Sequence, residues 1–192
     1  MTATTIFSRP AFAAGPTGAG SRQRFLPGTR LATPTGPRAV ESLAEGDLVS
    51  TRDGAQPISR LTRLVTPRAE AAMRRTAWPV RVPVGSLGNP QPLRLRADQR
   101  VVLEGDQVLE HCDLPRVAVP VGDLMGLRGL MSERPLADLR WIGIELERPA
   151  LLRVEGVLCA FGADVVDGAD RDTVRAAFCA MHAVGMPPLA VV

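Results

Sequence analysis

Nucleophiles and imidazoles are scarce in this chain of 192 residues, which holds three cysteines and two histidines. They fall into two close pairs, His111-Cys112 and Cys179 with His182, and Cys159 stands apart. A thiolate beside an imidazole is the arrangement of a nucleophile with its base. His111 and Cys112 on a strand point to opposite faces and do not pair directly. A packed cysteine beside a surface histidine is then the plainer reading. Cys179 and His182 share a helix face if their segment is helical. A buried thiol and a histidine favourable to the helix C-terminus explain them as well. Cys159, inside Val157–Phe161, reads as core. Asp98 is a candidate acid or a turn-former. Glu41 and Asp47 read as turn anchors and not as a paired-carboxylate site. Arg60, Arg63, Arg68, Arg74, Arg75 and Arg81 could hold an anion or nucleic acid. The alternative is a solvated face whose ion pairs are each worth about 0–1 kcal/mol.

These residues need short strands to position them. From Phe25 onward, apolar pieces alternate with turn residues in the rhythm of an all-β fold. Strands are expected at Thr29–Ala32, Arg38–Leu43, Leu48–Thr51, Pro57–Val65, Val80–Val84, Leu93–Leu95 and Val101–Glu104. Further strands are expected at Gln107–Glu110, Trp141–Leu146, Leu151–Val154 and Val157–Ala160. Asp53-Gly54, Gly105-Asp106 and Glu155-Gly156 are hairpin turns, because such positions tolerate positive φ. Arg68–Arg75 suggests a short helix. Asp170–Ala183 suggests a longer one, with Val174, Ala177, Phe178 and Met181 on one stripe, stopped before Pro187-Pro188. Residues 1–24, rich in Gly, Ala and Pro, read as a flexible lead. Residues 25–168 form the β domain and residues 169–192 the C-terminal helix and tail.

Length and a 45% apolar share fit one domain with a core. All 23 basic residues are arginine, which suggests GC-rich coding and a bacterial source. Residues 1–100 hold 15 Arg against 6 acids, and residues 101–192 hold 8 Arg against 14 acids. Attraction between two parts of one domain accounts for that asymmetry without nucleic acid, for which no stacking platform is evident. The cysteines show no CxxC or Cys/His cluster, so neither a metal nor a cofactor is expected. An odd thiol count suits a reducing cytoplasm. No apolar run is long enough for a membrane helix.

The segment Phe25-Leu26-Pro27-Gly28-Thr29-Arg30-Leu31-Ala32-Thr33-Pro34 continues through Gly36 to Ala39-Val40-Glu41-Ser42-Leu43-Ala44-Glu45-Gly46-Asp47-Leu48-Val49 and Asp53-Gly54. It resembles the opening of a bacterial hedgehog/intein (Hint) domain, C-x-x-P-G-T through V-E-x-L-x-x-G-D-x-V to D-G. The motif residues are Pro27, Gly28, Thr29, Val40, Glu41, Leu43, Gly46, Asp47, Val49, Asp53 and Gly54. Pro83–Gly88 is similar to the family's segment before its second motif. Leu93–Leu103 resembles L-x-x-S-P-x-H-R-V-L. Trp141–Pro149 with Glu155-Gly156 resembles Y-V-H-I-x-L-x-R-H…E-G. The resemblance covers Phe25–Gly168 and implies an all-β horseshoe of two related halves.

In that family the first cysteine attacks the carbonyl before it, and an N–S acyl shift turns the peptide bond into a thioester. A histidine of the second motif protonates the departing nitrogen. The matching positions here are Arg24, which stays protonated, and Gln99, which cannot shuttle a proton. The histidines of the last motif correspond to Gly143 and Pro149. The resemblance therefore implies a degenerate domain with no catalytic residues, a noncatalytic structural or protein-interaction module whose partner is unnamed. Asp98, His111 and Cys112 are secondary candidates. Two other readings stand beside it. Surviving autoproteolysis predicts a cut in the lead that Gln99→Ala or Cys112→Ala abolishes. An anion or nucleic-acid binder predicts salt-sensitive binding.

Overall fold

Strand β1 (Gln23–Phe25) opens the domain, so the last two residues expected in a flexible lead are already paired. The computed structural model describes residues 23–162 and 169–185; the rest of the lead and Pro187-Pro188 lie outside them. A turn follows in which the Thr29 N–H donates to the Leu26 carbonyl at 3.2 Å. Pro27 sets its first corner and Gly28, at φ +86°, supplies the left-handed second. Strands β2 (Arg30–Leu31) and β3 (Arg38–Ala39) pair briefly. The expected strand Arg38–Leu43 is cut short by a 3₁₀ turn over Val40–Ser42, which buries Val40.

Strands β4 (Leu48–Thr51) and β5 (Gly54–Thr66) form the next hairpin. Gly54 at φ +113° takes the unusual conformation there, while Asp53 does not. Helix α1 (Arg68–Met73) occupies the first expected helix. Strands β6 (Val80–Val82) and β7 (Leu93–Leu95) lead to β8 (Arg100–Glu104).

Two differences from the sequence reading lie beyond β8. Gly105-Asp106 is not a hairpin and Gln107–Glu110 is not a strand; helix α2 (Asp106–Cys112) stands there. Val108 and Cys112, four apart, are buried, which is helical spacing. Gly105 at φ +123° breaks the strand before it. Strand β9 (Arg116–Pro120) was not expected, because its buried Val117, Ala118 and Val119 do not alternate. Both of its faces are covered, and such strands lose the two-residue period.

Strands β10 (Met131–Ser132), β11 (Leu139–Leu146), β12 (Ala150–Val154) and β13 (Val157–Phe161) complete the sheets. Glu155-Gly156 turns β12 into β13 as expected, both residues at positive φ and Val154 opposite Val157. Helix α3 (Arg171–Ala183) closes the described chain, with the Asp170 carboxylate accepting from the Thr173 N–H at 2.9 Å.

The pairing is antiparallel throughout, in a curled half-barrel sheet of order β1-β11-β5-β4-β12-β13-β8-β9. A small sheet, β10-β6-β7, lies apart. This is the all-β architecture expected. β5 joins the halves: its start pairs with β4, and beyond a bulge opposite Glu145/Leu146 its end pairs with β11. A second, small cluster joins Ala71, Leu139 and Trp141, and the main apolar core holds the Phe25 and Phe161 rings 6.0 Å apart. Val174, Ala177, Phe178 and Met181 dock α3 on it, as the stripe required.

Candidate functional site

The opening motif builds a frame of carboxylate–backbone bonds around β1. The Glu41 carboxylate accepts from the Gly28 N–H at 2.8 Å, fixing the turn after β1. Asp47 accepts from the Ala44 N–H at 3.0 Å and from Arg38 at 3.1 Å. The Gly46 N–H donates to the Ile58 carbonyl at 2.9 Å, tying the β3–β4 turn to β5. Val40, Leu43 and Val49 are buried and Thr29 nearly so. These motif residues hold the chain's entry to the sheet in place.

β1 lies against the middle of β11, and Arg24 stands opposite Gly143. Thr62 of β5 is on the other side of Gly143. A Cβ added to Gly143 would collide with Thr62 Oγ1 and lie 3.7 Å from Arg24 Cγ. Glycine is needed here for space, since the two neighbouring side chains close over the position.

Segment 96–99 crosses beside this row. The Gln99 N–H donates to the Arg96 carbonyl at 3.0 Å, closing a turn. The Val121 N–H donates to the Gln99 carbonyl at 2.8 Å, and the Gly122 N–H to the Ala97 carbonyl at 2.9 Å. A Cβ on Gly122 would stand 2.9 Å from that carbonyl oxygen, so only glycine allows the approach. Arg96 grips Asp98 with two bonds of 2.9 and 2.8 Å, and its guanidinium carbon lies 5.7 Å from the centroid of the buried Trp141 ring. The Arg96 bond holds the Asp98 carboxyl below its ordinary range; burial opposes this, and the Arg24 charge adds a smaller pull. Asp98 is therefore an ion-pair partner, with 68% of its side chain exposed, and ill-suited to hold a proton near neutrality.

Gln99 is sealed beneath, 1% exposed, and neither amide atom finds a hydrogen-bond partner of normal geometry among the described residues. The amide faces the Cys159 thiol, a weak partner. Burial pushes that thiol up to about 12, and Gln99 only partly opposes the shift. Cys159 is thus brought beside Gln99 by the β8–β13 register, in a protonated, inert form.

The other candidates are elsewhere. His111 is exposed, its Nδ1 2.9 Å from the Gln107 carbonyl of its own helix. Cys112 is buried; desolvation first, then the Asp170 charge, raises its pKa. Cys179 is exposed, while His182 Nε2 lies 3.0 Å from the Ser86 carbonyl. Pro149 sits at the exposed β11–β12 turn with its ring against Gly162. Of the arginines singled out, Arg74 pairs with Glu70 at 3.4 Å and Arg75 lies over Trp78, while Arg60 and Arg63 are on β5.

The chain matches the Hint domain over residues 24–160. It belongs to the Hint-domain family. No curated protein matches it in sequence. Among solved structures, it is similar to a bacterial intein-like domain from Clostridium thermocellum at 13% identity and a TM-score of 0.49, over 73% of this chain and 99% of that one. It is also similar to the MchDnaB-1 intein, at 17% identity and a TM-score of 0.42, over 72% of this chain and 99% of that one. In this Hint domain the first matched residue is Arg24, at the β1 end of the row just described.

Thr62, Arg96, Trp141 and Cys159 escaped the sequence reading as site neighbours. Arg96 and Trp141 fall inside the motif segments at positions that differ from the motif residues, and Thr62 and Cys159 lie outside them; the β5–β11 and β8–β13 registers and the 96–99 turn bring them to Arg24 and Gln99.

Proposed function

We propose that this Hint domain keeps the family's framework without its acyl transfer and serves as a noncatalytic structural or protein-interaction module. The observation that carries the reading is the pair Arg24 and Gln99 in the row of β1, β11 and the 96–99 turn. Acyl transfer in the family begins with a thiolate at the first position and needs an acid for the leaving nitrogen. A guanidinium offers no nucleophile, and an amide no titratable proton. The cysteine beside Gln99 is protonated at neutral pH. Cys112 is at the end of α2, which packs against α3, and the Asp170 charge acts on it.

The test is the intact mass of the purified chain, kept for days at neutral pH with added thiol or hydroxylamine. The reading expects one uncut species. A product cut at the Gln23–Arg24 bond or beside Phe25 overturns it.

A further inference from the structure

We propose that the open edge of β5 over residues 62–66 is a strand-addition site for an extended acidic segment of a partner protein. β4 pairs with β5 only as far as Leu48 opposite Pro57. Beyond the bulge, β5 has β11 on one side and, among the described residues, no strand on the other. The direction of its backbone groups is fixed by one bond: the Leu61 N–H donates to Glu45 Oε1 at 2.9 Å, away from β11. Backbone groups alternate along a strand, so Arg63 and Val65 point their N–H and C=O the same way. No described residue meets the N–H of Arg63 or Val65. Val65 is 54% and Leu64 46% exposed, so the edge is open to a partner.

Charge selects the occupant. Arg63 and Arg140 are exposed diagonal neighbours on one face of the β5–β11 ribbon, since Arg63 pairs with Ile142 and Val65 with Arg140. Arg60, Arg63, Arg68 and Arg140 have no ion-pair partner among the described residues. The opposite face carries the exposed Leu64 beside Trp141. The complement is a strand alternating acidic with apolar side chains, the acids on the Arg63 face. A second copy paired about Arg63 would set guanidinium against guanidinium, a like-charge pair that destabilises. Edge charges of this kind guard against self-association, and backbone pairing with side-chain selection is how sheet edges take peptides.

The inference gives a noncatalytic module its contact surface but does not rest on that reading; cleavage is read by mass and edge pairing by peptide binding. The probe is a short, end-capped, fluorescent peptide alternating Glu and Val, titrated by anisotropy against the full chain. Saturable binding is expected, at least tenfold weaker when Lys replaces Glu or when alternate peptide nitrogens are methylated. Val65→Pro removes an edge N–H and no β11 bond, and is expected to weaken binding at least tenfold. Arg63→Glu leaves the backbone intact and is expected to reverse the preference between the Glu and Lys peptides. Equal binding by the methylated peptide, or an unchanged preference in Arg63→Glu, overturns the proposal. A concentration-dependent dimer of the unmodified chain that Val65→Pro dissolves also overturns it, in favour of a second copy.

Discussion

Gln99→Met is expected to stabilise the protein, against the common outcome of substitution in a core. Gln99 is 1% exposed with both amide atoms unpaired among the described residues. A buried polar group left without a partner costs about 1–3 kcal/mol. The Cys159 thiol recovers little of that, as a weak donor and acceptor. Methionine nearly matches glutamine in length and volume, and such swaps cost less than about 1.5 kcal/mol in repacking. Removing the unpaired amide therefore yields a net gain on the order of 1 kcal/mol. For a domain of this size that raises Tm by about 2–4 °C. The backbone bonds of the turn, from Gln99 to Arg96 and from Val121 to Gln99, do not involve the side chain and survive. Urea unfolding measures the effect, and a higher midpoint at unchanged slope is the expected result. A loss of more than about 1 kcal/mol would refute the reasoning, for it would mean the amide is satisfied in solution.

Gly143→Ala is expected to destabilise by about 1–3 kcal/mol through the collision with Thr62. Thr62→Ala in the same chain should recover much of the loss, and strict additivity of the two changes in urea unfolding would contradict the close packing. Gly156→Ala, at φ +83° with Pro90 Cδ 3.1 Å from the new Cβ, should lower Tm and weaken the β12–β13 hairpin, read by amide exchange in both strands. Burial lowers the His182 pKa below the ordinary 6.5; the Ser86 carbonyl opposes and Arg128 adds to the lowering. Its folded-state pKa is depressed, so the neutral ring's contribution is full above the unfolded pKa and is lost as pH falls from 6.5 through the folded value. The protection of amides at the end of α3, measured against their intrinsic exchange at each pH, should fall over that window in the unmodified chain, and His182→Gln should flatten the response. Arg24→Cys is expected to stay uncut in hydroxylamine, and Arg24→Cys with Gln99→His to cut faster than the single variant; equal rates, by mass, would remove Gln99 from the argument.

Local chemistry made much of the frame legible. Pro27 restricts the backbone and Gly28, Gly54 and Gly156 accept the positive φ of a turn whatever surrounds them, and they mark where strands end. The apolar stripe of α3 and its Asp170 cap are likewise properties of neighbouring positions, and that helix stands where the spacing put it. The ordered motif from Phe25 to Gly54 carried the family. β9 escapes the period because burial on both faces erases the alternation of a strand, and α2 offers only two buried positions, Val108 and Cys112, behind a Gly105-Asp106 pair that looks like a hairpin turn. The row Arg24–Gly143–Thr62, the Arg96 guanidinium over Trp141 and the seal of Gln99 over Cys159 join residues far apart in the chain. Only register and packing decide such contacts, because sequence period fixes the face a side chain takes and not the strand it meets.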